Sequence, residues 1–149
     1  DVGSTNRVRE VANYFNAEMV ICDKHRKRAN EIASMVVIGD VTGKDIVIVD
    51  DICDTGGTLV KAAALLKEKG ARSVRAMITH PVLSGKAYEN IENSVLEELV
   101  VCDTIPLAHP SAKIKVVTVA DLFAIAIRNA YENKSITSLF VHSQLKARG

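Results

Sequence analysis

The residues best suited to chemistry lie in an acidic, hydroxyl-rich stretch in the middle of the chain. Residues 50–58 read Asp-Asp-Ile-Cys-Asp-Thr-Gly-Gly-Thr and follow an apolar, β-branched run. An apolar run, then small polar residues, then a helical pattern indicates a strand, a turn and a helix start. Backbone N–H groups at a helix N-terminus attract anions, and paired glycines let an anion approach the main chain closely. The stretch therefore predicts a phosphate site.

The three carboxylates of this stretch, Asp50, Asp51 and Asp54, indicate the rest of the ligand. They are not expected to face the phosphate, because like charges repel strongly in a partly dry site. Carboxylates are acceptors, and their natural partners here are hydroxyl groups or Mg²⁺. A phosphate at one end and hydroxyls at the other describe a sugar phosphate. The plainer alternative is an acidic turn before a well-capped helix.

Three other polar segments could contribute to such a site. Residues 24–28 form a basic run without periodicity, which predicts a solvated loop or flap. A cationic flap beside a phosphate suits phosphoryl transfer, although most charge runs are simply solvated faces. Residues 1–4 precede a helix and predict a second anion site with Asp1 available for a metal, or a plain cap. His80 is either an acid/base group or a polar residue that ends a strand.

Strands alternate with helices along the chain, and this order predicts an α/β fold. A single domain is expected, with an open, mainly parallel sheet and helices on both faces. Ligands of such sheets sit beyond the carboxyl ends of the strands. Asp23, Asp50 and Thr79 are predicted to lie at those ends, so the loops after them should surround one site. The predicted helices are residues 5–16, 59–70, 85–93 and 119–133, and the predicted strands are residues 18–22, 34–41, 45–49, 73–79, 98–102 and 114–118.

Details of the helices and the tail follow from the same patterns. Thr118 and Asp121 resemble a capping box for the last helix, and a last edge strand is expected at residues 135–140. Inward-facing positions of the last helix are predicted at Leu122, Phe123, Ala126 and Ala130. Packing roles are predicted for Tyr14, Tyr88 and Tyr131, and surface loops for His109 and His142.

The composition excludes several classes of protein. The chain has 149 residues, 48% of them hydrophobic and 25% charged, and its net charge is +1, so no overall field steers it to nucleic acid or to a membrane. Aromatic residues make up only 4%, which argues against base-stacking surfaces. Three isolated cysteines predict neither a disulfide framework nor a zinc site, and the cytoplasm is the expected compartment. The chain opens on Asp1 rather than Met, which suggests a piece of a longer protein.

The acidic stretch resembles the ribose 5-phosphate loop of the type I phosphoribosyltransferase fold. It is not a Walker A loop, since no Gly-Lys-Ser/Thr follows the glycines. Further motifs occur in order: Asp-x-Gly at residues 1–3, Asp-Lys-x-Arg at 23–26, Thr-His-Pro-Val-Leu-Ser-Gly at 79–85 and Ser-Ile-Thr-Ser-Leu-Phe at 135–140. Together they resemble the carboxyl-terminal half of the ribose-phosphate pyrophosphokinases, or phosphoribosyl pyrophosphate synthetases, over nearly the whole chain.

The resemblance implies a reaction and a role for each matching residue. ATP would give its β,γ-diphosphoryl group to the 1-hydroxyl of ribose 5-phosphate, forming phosphoribosyl pyrophosphate and AMP with Mg²⁺. Asp50 and Asp51 would hold the ribose hydroxyls, and Asp1 would bind Mg²⁺. Lys24 and Arg26 would stabilise the transferring group. The residues that would hold the 5-phosphate are Asp54, Thr55, Gly56, Gly57 and Thr58. Residues 135–140 resemble part of a regulatory nucleotide and phosphate site.

The resemblance also implies that residues 1–149 are the carboxyl-terminal domain of a two-domain chain. The absent amino-terminal half would supply ATP contacts, another Mg²⁺ ligand and much of a hexamer interface, so the fragment is expected to bind ribose 5-phosphate and to catalyse little. Two positions depart from the family pattern, Ser4 in place of glycine and His25 in place of arginine. Two alternatives stay open: a salvage phosphoribosyltransferase, and a non-catalytic phosphoribosyl pyrophosphate-sensing or partner subunit.

Overall fold

A computed structural model of the chain describes residues 2–25 and 34–140, with the backbone alone for residues 2–7, 24, 25 and 34. It divides into two compact units: residues 20–117 form one, and residues 2–19 with residues 118–140 form the other. No helix in the described ranges is long and apolar enough to cross a membrane. The elements in chain order are α1 (Val2–Phe15), β1 (Ile21–His25), β2 (Ser34–Ile38), β3 (Asp45–Cys53), α2 (Gly57–Glu68), β4 (Ser73–Pro81), α3 (Ala87–Glu92), β5 (Glu98–Cys102), β6 (Ile114–Val117) and α4 (Ala120–Tyr131).

The unit of residues 20–117 is built on a four-stranded parallel sheet in the order β3-β4-β5-β6. Each neighbouring pair runs in the same direction, with Ile48 opposite Ala76 and Ile78 opposite Val101. Parallel strands need crossover connections, and α2 supplies the one between β3 and β4. The prediction of an α/β fold with a mainly parallel sheet is confirmed.

The core of this unit lies on the sheet face that packs against α2 and α3. Alternate residues of β4 and β5 point to that face and are fully buried, and Leu66 of α2 and Ile91 of α3 meet them. Burial of side chains of this size contributes about 1.5–3 kcal/mol each. The core fixes α2 against the sheet, so the turn from β3 into α2 is held at both ends. Its largest fully buried members are Leu66, Ile91, Leu96, Leu99, Val74, Val101 and Pro81.

β1 and β2 form a separate antiparallel hairpin, which corrects the predicted place of Asp23. Asp23 lies in the middle of β1, opposite Val36, and not at the carboxyl end of a strand of the parallel sheet. Only residues 26–33 separate the two strands, whereas a parallel return needs a crossover of a dozen or more residues. Asp23 therefore does not share a sheet edge with Asp50 and Thr79.

β3 and β4 both run further than the sequence predicts. β3 ends at Cys53 rather than at Val49, and β4 ends at Pro81 rather than at Thr79. The parallel register continues because Cys53 lies opposite Pro81, and a proline is tolerated at the end of a strand. α2 ends at Glu68, and Gly70 follows in the left-handed region with a φ of 96°, as its role after the helix requires.

The second unit differs from the prediction in how its helical face is covered. No residue of α4 is buried in the described chain: Leu122 is 47% exposed, Phe123 is 56% exposed and Tyr131 is 87% exposed. The prediction that the apolar side of α4 faces inward, with Ala126 and Ala130, is therefore wrong here. The spacing of apolar residues shows which of them share a face, but it does not show that another element covers that face.

Two smaller predictions for this unit also need correction. Thr118 accepts a hydrogen bond from the Ala120 N–H at 3.2 Å, but the cap position of α4 is Val119, whose own side chain makes no capping bond, so the predicted box of Thr118 and Asp121 is not the cap of α4. The predicted edge strand at residues 135–140 is instead a short 3₁₀-helix, Thr137–Leu139. Its first turn is closed by the Leu139 N–H, which donates to the Ile136 carbonyl at 2.9 Å.

A charged network joins the amino ends of β3 and β4. Arg72 Nε donates to Asp45 Oδ1 at 2.9 Å, a second guanidinium nitrogen pairs with Oδ2, and the Ser73 hydroxyl donates to Oδ1 at 2.6 Å. Arg72 first, and then Ser73, hold the pKa of the Asp45 carboxyl well below its ordinary value. The network favours the charged form of Asp45 in the folded state.

Replacement of Asp45 should therefore change how stability depends on pH. A depressed pKa stabilises the fold above the ordinary carboxyl value of about 3.9, and this contribution is lost as the pH falls towards the folded value. We expect Asp45→Asn to lower the urea midpoint at about pH 7 and to differ progressively less from the wild type below about pH 4. Arg72→Gln should reproduce this pattern. A midpoint difference that is the same at every pH would contradict it.

Candidate functional site

The turn between β3 and α2 has the backbone shape of an anion site. Gly56 is buried, adopts a left-handed φ of 72° and occupies the cap position of α2. A Cβ placed on Gly57 would find only the Thr55 hydroxyl within 4 Å, at 3.7 Å. In this fully described stretch no side chain caps α2, and no acidic residue lies in its first turn. The helix N-terminus therefore presents its partial positive charge at an open backbone, flanked by the exposed Thr55 and Thr58.

Asp50 and Asp51 lie inside β3 rather than after it. Asp50 is exposed and its Oδ1 accepts the Asp51 N–H at 3.0 Å, while Asp51 is half-buried. Successive strand residues point to opposite faces, and pairing with β4 continues past these residues, with Asp50 opposite Ile78 and Ile52 opposite His80. The two carboxylates therefore leave the strand in different directions. That both hold hydroxyls of one sugar stays a prediction.

Asp54 and Thr55 are held by a segment that follows β4. The Asp54 carboxylate accepts the Ser84 hydroxyl, and the Asp54 carbonyl accepts the Ser84 N–H at 3.1 Å. The Thr55 carbonyl accepts Asn90 Nδ2 at 2.9 Å. Ser84 belongs to the motif at residues 79–85, but Asn90 has no signal in the sequence. Contacts between residues this far apart in the chain follow from tertiary packing alone.

Cys53, at the end of β3, is a packing residue rather than a nucleophile. Burial raises the pKa of its thiol, and the carboxylates of Asp50 and Asp54 raise it further, although the Gly56 N–H donates to the sulfur and acts in the opposite direction. A raised thiol pKa disfavours the thiolate, which is the reactive form. The same is true of Cys22, whose pKa burial also raises.

His80 is fixed by a short chain of hydrogen bonds. The Thr104 hydroxyl donates to the Thr79 carbonyl at 2.9 Å, and Thr104 Oγ1 lies 2.9 Å from His80 Nδ1. A hydroxyl has one hydrogen to give, so Oγ1 accepts from His80 and Nδ1 carries the proton. His80 lies within β4 rather than terminating it, and these bonds hold its ring in one orientation.

The tyrosines and the other histidines have mixed outcomes. Tyr88 is buried in α3, stacks on His109 with ring centroids 3.8 Å apart, and accepts the Ala108 N–H at 3.1 Å, so its predicted packing role is confirmed. His109 lies on an exposed loop, as predicted. Tyr14 meets Phe15 edge-on in α1, with centroids 5.0 Å apart. The packing role predicted for Tyr131 is wrong, and His142 lies outside the described residues.

The predicted flap and metal residues lie largely beyond the described part of the chain. Asp1 and Arg26 lie outside it, and of Lys24 only the backbone is described, in β1 opposite Met35. Among the described residues, no group of three His, Cys, Asp or Glu side chains could hold a metal ion. Mg²⁺ is commonly bound by one or two carboxylates together with substrate phosphates, so the carboxylates beside the turn suit it without a complete protein cage.

Comparison with known protein families gives a match over most of the chain. The sequence model described as "Phosphoribosyl synthetase-associated domain" matches residues 8–141. Among solved structures, the phosphoribosylpyrophosphate synthetase from Mycobacterium smegmatis superposes with a TM-score of 0.78 at 32% identity, over 88% of this chain and 43% of that one.

Curated relatives give the same result at higher identity. The ribose-phosphate pyrophosphokinase of Campylobacter jejuni subsp. jejuni is 55% identical over 141 residues, which is 95% of this chain and 46% of the relative. The enzyme of the same name from Wolinella succinogenes is 54% identical over 141 residues, again 95% of this chain and 46% of the relative. The chain thus spans about half the length of these relatives.

Proposed function

Because the chain belongs to the phosphoribosyl synthetase-associated domain family, we propose that it forms the sugar-phosphate half of a ribose-phosphate diphosphokinase. The reaction is transfer of the β,γ-diphosphoryl group of ATP to the 1-hydroxyl of ribose 5-phosphate, giving phosphoribosyl pyrophosphate and AMP. The observation that carries the proposal is the turn after β3, where the left-handed Gly56 and the open Gly57 begin α2 beside the carboxylates.

The 5-phosphate binds at this turn and the ribose lies towards the end of β3. Backbone N–H groups of Asp54, Thr55, Gly57 and Thr58, with the two threonine hydroxyls, are the donors available for the phosphate, and Gly56 supplies the left-handed backbone between them. Asp50 and Asp51 are the acceptors available for the ribose hydroxyls. This assignment is consistent with the local charges, because the phosphate donors lie at the positive end of α2 and the acceptors for the ribose hydroxyls lie near the carboxyl end of β3.

The transferring group is stabilised by cations in this proposal. Lys24 and Arg26 supply positive charge where negative charge spreads over phosphoryl oxygens. Asp1, with phosphate oxygens of the substrates, would hold Mg²⁺, which neutralises phosphate charge when it is bound. The protein side chains hold and orient the sugar, so that its 1-hydroxyl is presented to the diphosphoryl group.

The half of the relatives that this chain does not match also has a role in the proposed enzyme. It supplies ATP contacts, a further Mg²⁺ ligand and surfaces for a hexamer, and the assembly works in the cytoplasm. We call a polypeptide that carries this sequence together with that half the full-length protein. The 149-residue chain alone binds ribose 5-phosphate and turns over little or none of it.

A coupled assay of AMP release by the full-length protein tests the reaction. With ATP, Mg²⁺ and ribose 5-phosphate, AMP should appear in equal amount to phosphoribosyl pyrophosphate. A salvage phosphoribosyltransferase would instead consume phosphoribosyl pyrophosphate with a base, and a sensing or partner subunit would release no AMP. Either of those results would replace the proposed activity.

Calorimetric titration of the 149-residue chain with ribose 5-phosphate tests the site. We expect Thr58→Ala and Asp51→Asn each to weaken binding about tenfold or more. Thr58→Ala removes a hydroxyl donor to the charged phosphate, and Asp51→Asn removes the charge of the carboxylate that accepts a ribose hydroxyl. Thr42→Ala and Asp40→Asn make the same chemical changes in the turn before β3, at its opposite end, and should leave the affinity unchanged. Equal affinity in all four variants would place the sugar elsewhere.

A further inference from the structure

The segment that follows β4 holds the phosphate turn from behind by its carbonyl groups. The Leu83 N–H donates to the Cys53 carbonyl and the Ser84 N–H donates to the Asp54 carbonyl, both at 3.1 Å. Asn90 Nδ2 donates to the Thr55 carbonyl at 2.9 Å. Three successive peptide groups of the turn are therefore each bonded on their carbonyl side.

These bonds determine where the N–H groups of the turn point. A trans peptide is planar, and its C=O and N–H point in opposite directions. With the Cys53 and Asp54 carbonyls bound to residues 83 and 84, the N–H groups of Asp54 and Thr55 point away from that segment, to the side where an anion meets the main chain. Successive N–H groups on one side form an anion-binding concavity.

The next peptide group is set in the same way. Asn90 holds the Thr55 carbonyl, and the N–H of the following residue, Gly56, donates to the sulfur of Cys53. Gly56 itself rests on α3, where a Cβ would meet the Ala87 carbonyl and the Ile91 side chain, both at 3.6 Å. The peptide plane at the start of α2 is thus fixed from both sides.

Ser84 has a second effect through its side chain. Asp54 places a carboxylate inside the segment that binds phosphate, and a negative charge aimed at the phosphate would oppose binding. The Ser84 hydroxyl donates to Oδ1 of that carboxylate and so holds it on the Ser84 side of the turn. Ser84 is itself anchored, because its carbonyl accepts the Ala87 N–H at 3.1 Å at the start of α3.

The segment keeps this arrangement at a conformational cost. Leu83 has a left-handed φ of 47° and is only 7% exposed. A non-glycine residue in that region is strained, and such strain persists only where the surroundings over-determine the backbone. The Leu83 N–H bond to Cys53 and the burial of its side chain in the core do so here.

We propose that Ser84 and Asn90 are positioning residues for phosphate binding: Ser84 holds the Asp54 carboxylate away from the anion, and Asn90 fixes the peptide group that leads into the open Gly57 at the start of α2. The inference rests on the proposed function, because it takes ribose 5-phosphate as the ligand. It assigns the Asp54 side chain to the bond with Ser84 and its backbone N–H to the phosphate. Neither Ser84 nor Asn90 contacts the ligand.

Titration of the 149-residue chain with ribose 5-phosphate and with inorganic phosphate tests the inference. Ser84→Ala and the isosteric Asn90→Asp should each weaken both ligands about tenfold, and Ser84→Thr should restore the affinity because it keeps the hydroxyl. Ser111→Ala and Asn129→Asp are matched controls. They remove a serine acceptor of a backbone N–H at 3.3 Å and an asparagine donor to a backbone carbonyl at 3.2 Å, and should bind as the wild type does.

Substitutions of Asp54 separate positioning from direct contact. Asp54→Asn keeps an oxygen that can accept the Ser84 hydroxyl and removes the negative charge, so phosphate should bind equally well or more tightly. Asp54→Ala should likewise bind phosphate as well as the wild type or more tightly, and Ser84→Ala added to it should have little further effect, because no carboxylate remains to be held away. A simple loss of stability at residue 84 would not produce that non-additivity, and thermal melting of each variant records its folding separately.

The two proposals fail in different ways. If the wild-type chain binds neither ribose 5-phosphate nor phosphate, the proposed function is wrong and the inference falls with it. If the wild type binds both while Ser84→Ala and Asn90→Asp match it, the positioning role is wrong and the proposed function stands. A loss of affinity in Asp54→Asn and Asp54→Ala alike would also overturn the inference, since it would show that the carboxylate itself contributes to phosphate binding.

Discussion

Lys24→Ala should lower the kcat of the full-length protein by about 10³ or more, with little change in its affinity for ribose 5-phosphate. The proposed role of Lys24 is to neutralise charge that develops on the diphosphoryl group as it transfers, and loss of one such donor costs about 4 kcal/mol of transition-state stabilisation. A group that acts only in the transition state changes kcat and leaves substrate binding intact.

The measurement is steady-state AMP release at saturating ATP and Mg²⁺, combined with a direct titration of ribose 5-phosphate. Lys115→Ala is a matched control, because Lys115 is an exposed lysine of β6 that pairs with Glu98, and such surface pairs contribute about 0–1 kcal/mol. Its kcat should stay within about twofold of the wild type. An unchanged kcat in Lys24→Ala would remove the basic run from the mechanism.

Gly56→Val should weaken ribose 5-phosphate binding by about 100-fold or more, equivalent to about 2.7 kcal/mol. The left-handed φ of 72° is unfavourable for any residue with a Cβ and most unfavourable for a β-branched one. The added branches would also press on the Ala87 carbonyl and the Ile91 side chain, which lie 3.6 Å from an ideal Cβ. Relief of both effects rotates the peptide groups that open α2, and the phosphate donors lose their common direction.

Gly43→Val is the control that introduces the same kind of backbone strain at a position outside the phosphate turn. Gly43 has a similar φ of 68°, but nothing lies within 4 Å of its ideal Cβ, and it sits in the turn before β3. This variant should lose about 1–2 kcal/mol of stability and bind ribose 5-phosphate with unchanged affinity. If both glycine variants lose affinity to the same extent, the effect at Gly56 is a general loss of folding and not a change in the site.

The parts of the fold that follow from local pattern are the parts the sequence predicts well. β-branched runs indicate β3 and β4, and the spacing of Leu59 and Leu66 indicates the buried side of α2, because each pattern reflects the geometry of its own element. The glycine pair at the start of α2 is likewise a local signal, since only a residue without a Cβ accepts that backbone freely.

The parts that depend on partners distant in the chain could not be predicted. The extension of β3 to Cys53 requires Pro81 opposite it, and the antiparallel pairing of β1 with β2 depends on where the chain returns. Ser84 and Asn90 meet Asp54 and Thr55 across 30 and 35 residues of sequence. The periodicity of a sequence does not indicate such contacts, so the hydrogen bonds that hold the phosphate turn can be identified only in the folded structure.

The bonds from residues 83–90 to the phosphate turn also set the stage of synthesis at which the site can exist. A nascent chain that has emerged only as far as Pro81 already contains β3, both glycines and β4, but none of the donors that orient the three peptide groups. Competence to capture an anion should therefore arise late, once Asn90 has left the ribosome and α3 has folded, rather than when the glycine turn itself emerges.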